Sequence, residues 1–283
     1  MKPLKFVLKT AAVCAALSLV LCGVNEHLNS KVRVTRYTYT DVHVPDAFDG
    51  YKIMAISDLH EAPFSSQIIE HIRSQEPDMI VFTGDMAQLP HKSVKEALKI
   101  GKAVKDIPMY AVSGNHETQN ESYGEIMGTL WGVNIVPMDD NSICIKRGDD
   151  RFLLIGSKDP RRDEPHDEDF EAMRDNIRYQ LPREPIFSVL LMHRSDLYPE
   201  VKDTDVDLIL SGHMHGGIIR LPLVGGLIGD EGKITLPKYD YGMFKEGNAA
   251  MIVSGGCDKN PDKKRFFNPP EVVMITLEQA EAE

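Results

Sequence analysis

Five short apolar runs in this chain each stop at residues able to hold a metal ion, and that repeated punctuation constrains the fold more than any other feature. Residues 52–57 lead into Asp58-Leu59-His60, 79–83 into Gly84-Asp85, and 109–113 into Gly114-Asn115-His116-Glu117. Further on, 186–192 lead into His193, and 207–211 into Gly212-His213-Met214-His215-Gly216-Gly217. Short continuous apolar runs read as strands buried on both faces. Between the first three, Ile68, Ile69 and Ile72, then Val94, Ala97, Leu98, Gly101 and Val104, fall at helical spacing. The order is βαβαβ, which implies a parallel sheet with right-handed crossovers. Its strand ends then share one edge, where α/β folds build their sites.

Later strand candidates are 143–146, 152–156, 250–254 and 272–276, with few helical stretches among them. Two packed sheets flanked by helices fit this pattern better than one open sheet. No repeat, low-complexity tract or Gly/Ser-rich linker divides residues 31–283, which read as one domain.

The strand-end residues Asp58, His60, Asp85, Asn115, His193, His213 and His215 offer carboxylate oxygen, amide oxygen and imidazole nitrogen, with no thiolate. That mixture suits two divalent ions, Mn, Fe or Zn, better than a structural zinc. Seven donors exceed what one tetrahedral ion takes; if one carboxylate bridges, two ions are accounted for. Two ions about 3.5–4 Å apart suit in-line attack on phosphorus. The neighbouring glycines 84, 114, 212, 216 and 217 let the chain bend out of each strand.

Composition narrows the partners. Lys and Arg number 32 against 43 Asp and Glu, and three of the lysines lie in the first ten residues, so the body is strongly acidic. Such a surface repels polyanions and argues against nucleic acid as a partner. Of four cysteines, Cys14 and Cys22 fall in an N-terminal apolar stretch and only Cys144 and Cys257 remain, which excludes a disulfide framework.

That N-terminal stretch has Lys2, Lys5 and Lys9 ahead of residues 11–24, an apolar run broken only by Ser18 and Gly23 and extended backwards by Phe6, Val7 and Leu8. It reads as an uncleaved signal anchor over residues 1–30, including a short linker. The expectation is one transmembrane helix in the cell membrane, single-pass, with the catalytic domain on the extracytoplasmic side.

The ordered set D-x-H, G-D, G-N-H-E, a lone His and G-H-x-H resembles the calcineurin-like metallophosphoesterase superfamily over residues 51–217. Arg220-Leu221-Pro222, Pro237-Lys238-Tyr239 and the run from Arg265 to Glu271 are similar to its membrane-anchored bacterial YkuE/YaeI-like branch. The resemblance implies a four-layer α/β/β/α sandwich of two mixed sheets flanked by helices. It implies that Asp58, His60 and His215 hold one metal, that Asn115, His193 and His213 hold the other, and that Asp85 bridges. A metal-bridging water would attack a phosphodiester or diphosphate bond, with His116 as general acid. The substrate would be a phosphorylated small molecule or a lipid-linked compound, and the enzyme a monomer. Arg194, beside His193, and Asp159, in the Lys158-Asp159-Pro160-Arg161-Arg162 cluster, are candidate substrate contacts, with a solvated loop as the bland reading.

Two positions depart from the family pattern: Gln88 stands where many members have Asp, and Ile218 where the branch commonly has Gln. Competing functions are a catalytically silent metallophosphoesterase-fold protein that binds partners, a phosphomonoesterase, and a mononuclear zinc hydrolase of another fold.

Overall fold

The computed structural model describes residues 2–160, 166–229, 232–259 and 264–281. A long helix α1 (Lys2–Asn29) precedes β1 (Arg33–Asp41), β2 (Lys52–Ile56), α2 (Ser65–Gln75), β3 (Met79–Thr83), α3 (Lys95–Ala103) and β4 (Met109–Val112). Then come α4 (Asn115–Thr118), α5 (Tyr123–Leu130), β5 (Ile135–Pro137), β6 (Ser142–Arg147), β7 (Asp150–Gly156) and α6 (Asp167–Gln180). The chain closes with β8 (Ser188–Arg194), α7 (Tyr198–Val201), β9 (Leu208–Gly212), β10 (Arg220–Leu221), β11 (Gly225–Gly226), β12 (Gly242–Lys245), β13 (Ala250–Val253) and β14 (Glu271–Gln279).

Two six-stranded mixed sheets result, ordered β1-β14-β2-β3-β4-β5 and β12-β13-β9-β8-β7-β6, with β10 and β11 as a separate hairpin. In the first, β2 through β5 run parallel and β14 lies antiparallel to β2. In the second, β7, β8, β9 and β13 run parallel while β6 and β12 are antiparallel edges.

Alternation along the strands sorts the core into three layers, because successive side chains leave a strand on opposite faces. Ile53 and Ala55 of β2 join Phe152, Leu154, Val189 and Leu191 between the sheets. Met54 and Ile56 point the other way, onto Ile68 and Ile72 of α2 and Ala97 and Ile100 of α3. On the far side, Leu153, Ile155, Leu190 and Met192 meet Met173 and Ile177 of α6. Helices thus cover the outer face of each sheet, as expected of sheets buried on both faces.

The N-terminal expectation is overturned. Among the described residues no helix is long and apolar enough to cross a membrane, so the single-pass anchor is not supported, nor is the extracytoplasmic placement that depended on it. The reason lies in length. The uninterrupted apolar run, residues 11–24, spans about 21 Å as a helix at 1.5 Å per residue, against a hydrocarbon core of about 30 Å. Lysines close it on one side, and Asn25, Glu26, His27 and Asn29 on the other. From residue 13 to residue 28 every side chain of α1 is exposed except Asn25, which is buried against the body of the protein.

Leu191 is fully buried between the sheets. Truncating it as Leu191→Ala should lower the unfolding free energy by about 2–5 kcal/mol, as read by urea denaturation. A loss below about 1 kcal/mol would mean that the layer is not packed as described.

Candidate metal centre

The carboxyl ends of β2, β3, β4, β8 and β9 meet at one edge, and the backbone there is bent in an unusual way. Five of the seven candidate donors take left-handed backbone themselves: Asp58 (φ 50°), His60 (φ 40°), Asp85 (φ 53°), His213 (φ 74°) and His215 (φ 48°). Asp, Asn and His are the non-glycine residues that best tolerate this region, and strain of this kind gathers at functional sites. The glycines serve closeness as well as bending. A Cβ on Gly114 would run into the Asp85 carboxylate, and one on Gly256 would sit 2.7 Å from Cβ of Asp58.

His193 lies inside β8, where the register with β9 slips between Leu191 and Arg194. Such an irregularity re-aims a side chain out of the sheet's alternation. His193 Nδ1 donates to the Thr83 carbonyl at 2.8 Å, so its Nε2 is the nitrogen turned toward the cluster. Around that atom stand Asn115 Oδ1 at 3.1 Å, Asp85 Oδ2 at 3.2 Å, His213 Nδ1 at 3.3 Å and Asp58 Oδ1 at 4.0 Å. Asp85 Oδ2 also lies 3.4 Å from His60 Nε2 and 3.9 Å from His116 Nε2. The His215 ring stacks on His60 with centroids 5.1 Å apart, and its Nε2 is 3.9 Å from Asp58 Oδ1. The backbone N–H of His213 donates to both Asp58 oxygens, at 3.1 and 3.2 Å. All seven sequence-derived donors are therefore in one cluster.

Electrostatics follow from this crowding. Burial would raise the Asp85 carboxyl, but His193 and His60 outweigh it and hold it well below the usual range. Burial alone would lower His193, yet Asp85 and Asp58 push it well above its ordinary value. His60 is pulled down to about 4, mainly by burial, and His213 is also lowered by burial and by its neighbour His193.

The donors fit a divalent cation. His60 is almost wholly enclosed, yet neither of its ring nitrogens has a hydrogen-bond partner. An orphaned buried nitrogen calls for an explanation such as an ion. Ligand atoms of Asp58, His60 and His215, and separately of Asp58, Asp85 and His193, lie within 4.8 Å of one another. Carboxylate, amide and imidazole donors without a thiolate suit Mn, Fe or Zn.

Several neighbours hold the donors in place. Glu117, fully buried, accepts the backbone N–H groups of Asp85, Ala87 and Gly114 at 2.7–2.9 Å and so ties the second strand end to the third. The ligand atoms of His116, His60 and Asp85 also cluster within 4.8 Å, so His116 borders the metal cradle. Its Nδ1 accepts the N–H of Leu89 at 3.0 Å, which leaves Nε2–H facing the cradle. The donor to that nitrogen is thus a main-chain group from the residue after Gln88.

Arg194 and Asp159 are both buried, and Arg194 Nε donates to the two Asp159 oxygens at 3.1 and 3.3 Å. Burial pushes the Asp159 carboxyl up to about 7 even against Arg194. They form part of the wall behind His193 rather than a solvated loop. Arg161 and Arg162 lie outside the described residues.

Sequence reasoning missed Asp258. It follows β13 through Ser254-Gly255-Gly256-Cys257, which resembles the strand, glycine, donor order at Asp85, Asn115 and His213. Its Oδ1 lies 3.0 Å from His215 Nδ1.

With this geometry in view the family is clear. The calcineurin-like phosphoesterase profile matches residues 51–217, and the chain belongs to that family. It is 28% identical over 261 residues to the uncharacterized metallophosphoesterase YkuE of Bacillus subtilis, covering 87% of this chain and 85% of that protein. It is 28% identical over 191 residues to the phosphodiesterase YaeI of Escherichia coli, covering 62% of this chain and 64% of the relative. The crystal structure of TT1561 of Thermus thermophilus shares the fold, with a TM-score of 0.50 at 13% identity over 73% of this chain and 90% of that one.

Since Asp85 and Asp58 raise the affinity of His193 for a proton, a cation entering the cradle competes with protons for that ring. Loading the chain with Mn²⁺ should release protons at pH 7, and affinity should rise with pH through the neutral range. Calorimetry in two buffers of different ionisation enthalpy measures this, and buffer-independent heats would contradict it.

Proposed function

We propose that the chain is a dinuclear-metal phosphohydrolase that cleaves a phosphodiester or diphosphate bond in a phosphorylated small molecule or lipid-linked substrate. The observation that carries the reading is the gathering of seven oxygen and nitrogen donors from five strand ends around Asp85 and His193. The relative YaeI is named a phosphodiesterase, which supports the diester.

Asp85 Oδ2 lies between His193 Nε2 and His60 Nε2, at 3.2 and 3.4 Å, which supports it as the shared ligand. Asp58, His60 and His215 would then hold one ion, and Asn115, His193 and His213 the other. When bound, two divalent ions supply Lewis-acid stabilisation of phosphoryl charge and a more acidic water. The protein's own contribution is placement. Thr83 fixes the His193 tautomer, Glu117 pins the Asp85 loop, and Leu89 turns the Nε2–H of His116 toward the site. From there His116 can donate to the leaving-group oxygen. Rigid ligands of this kind need no rearrangement at the moment of reaction.

Hydrolysis of bis-p-nitrophenyl phosphate by the metal-loaded protein tests the reading. Excess chelator and Asp85→Asn should each abolish it, and full turnover in chelator would refute the assignment. His116→Ala should retain both ions by elemental analysis while kcat falls by about 10²–10⁴-fold. Loss of an ion in that variant would make His116 a ligand instead.

A further inference from the structure

We propose that Asp258 is a positioning residue for His215, and that Arg265 and the C-terminal end of helix α1 hold Asp258 in place. The inference rests on the metal-centre reading above and extends it to residues that touch no donor face of the cradle.

The relay starts at His215. Its Nδ1 is 3.0 Å from Asp258 Oδ1, while its Nε2 faces Asp58. A carboxylate offers only acceptors, so Nδ1 carries the proton and Nε2 is left as the lone-pair nitrogen toward the ion. The contact is an ion pair by distance, with Nδ1 buried and outside hydrogen-bond geometry, so the carboxylate acts on the ring through its charge, favouring the proton on Nδ1 and the lone pair on Nε2. Asp258 is itself gripped by Arg265, whose Nε donates to the same Oδ1 at 2.7 Å and whose Nη2 also reaches it. Both residues are buried, at 4% and 5% exposure, where an unpaired charge is costly.

The segment carrying Arg265 is fastened at two further points. Asn268 Nδ2 donates to the His215 carbonyl at 2.7 Å, so the same strap supports the main chain of His215 as well as its ring. A Cβ on Gly216 would sit 2.7 Å from Asn268 Oδ1, so the strap lies directly against the turn that bears the ligand. From the other side come Asn25 and Asn29 of α1. Their Nδ2 groups donate to the Arg265 carbonyl at 2.9 and 2.7 Å, and Phe267 N–H donates back to Asn25 Oδ1 at 3.1 Å. Asn25 is the one buried residue on the described side-chain surface of α1, and both ends of its amide are bonded to the strap. An amide buried on an otherwise exposed helix is stabilising only with such partners. The N-terminal helix is therefore mechanically continuous with one half of the metal centre.

A plain fold staple would weaken both ion sites alike and lower the stability of the metal-free chain. A positioning relay acts on the ion held by His215 alone. The full chain is titrated with Mn²⁺ by calorimetry and followed by electron paramagnetic resonance, where two neighbouring ions give an exchange-coupled signal. In Asp258→Asn we expect one binding step to weaken by about 10–100-fold, the other to persist, and the coupled signal to give way to isolated Mn²⁺. Asp258→Glu should restore part of the coupled signal. Asn25→Ala, remote from the cradle, should produce a smaller loss in the same step, with the other step unaltered and at most a modest fall in the metal-free melting temperature. Two unaltered steps in both variants, or equal weakening of both steps with a lowered metal-free melting temperature, would overturn the relay. A wild-type chain that binds fewer than two ions would instead defeat the dinuclear reading itself.

Discussion

Asp85 is a buried carboxylate with the imidazoles of His60, His193 and His116 within 4 Å of one of its oxygens, and the rest of the structure is organised around keeping it there. A charge removed from water is tolerated only when neighbours surround it with compensating charge and hydrogen bonds. Here that compensation requires strand ends from two different sheets to meet within a few ångströms. The register slip in β8, the Glu117 clamp on the Asp85 loop, and the close approach of Gly114 all serve the same end. The sandwich supplies rigidity on either side, since the central strands that carry the donors are locked between two apolar layers and cannot shift without exposing one of them.

This arrangement also reconciles the acidic composition with a phosphorylated substrate. The chain has a net charge of −11, which by itself would repel an anion. Charge at the centre is a separate matter from charge at the surface. The donors gather negative potential that draws divalent cations, and a loaded cradle would present the opposite sign to an approaching phosphoryl group. Arg194, the nearest arginine in sequence to a donor, is engaged with Asp159, so attraction at the site need not come from a lone surface cation.

Legibility in the sequence followed burial. Strand β3 is buried at every position and begins and ends at the residues expected, and the order of strand and helix through β4 could be read from periodicity alone. Strand β1 escaped notice because it is an edge with alternating Thr, Arg and Tyr, of which only Tyr39 is fully buried, so its apolar signal is weak. The N-terminal run misled because it was extended backwards across Lys9 to Phe6 to reach membrane length, while Asn25 and the polar residues after it close the other end. Those residues turn out to matter for docking. The seven donors were legible because each followed a strand. Asp258 was legible by the same rule, but the intervening Gly-Gly-Cys hid it. The partner of His116 could not be read at all, since a backbone N–H leaves no mark on the residue that bears it. The bends were assigned to glycines, whereas the donors carry most of them.

That last feature narrows which residues can occupy the site. Glutamate and cysteine bind cations well, yet neither is at ease with the left-handed backbone that Asp58, His60, Asp85, His213 and His215 adopt. The choice of ligand at these five positions is thus filtered twice, by affinity for the ion and by the local shape of the main chain. Aspartate, asparagine and histidine pass both filters most readily, although Glu61 shows that a glutamate can adopt this backbone here. If these residues hold the ions, exchange of one ligand type for another would carry a backbone cost at these five positions.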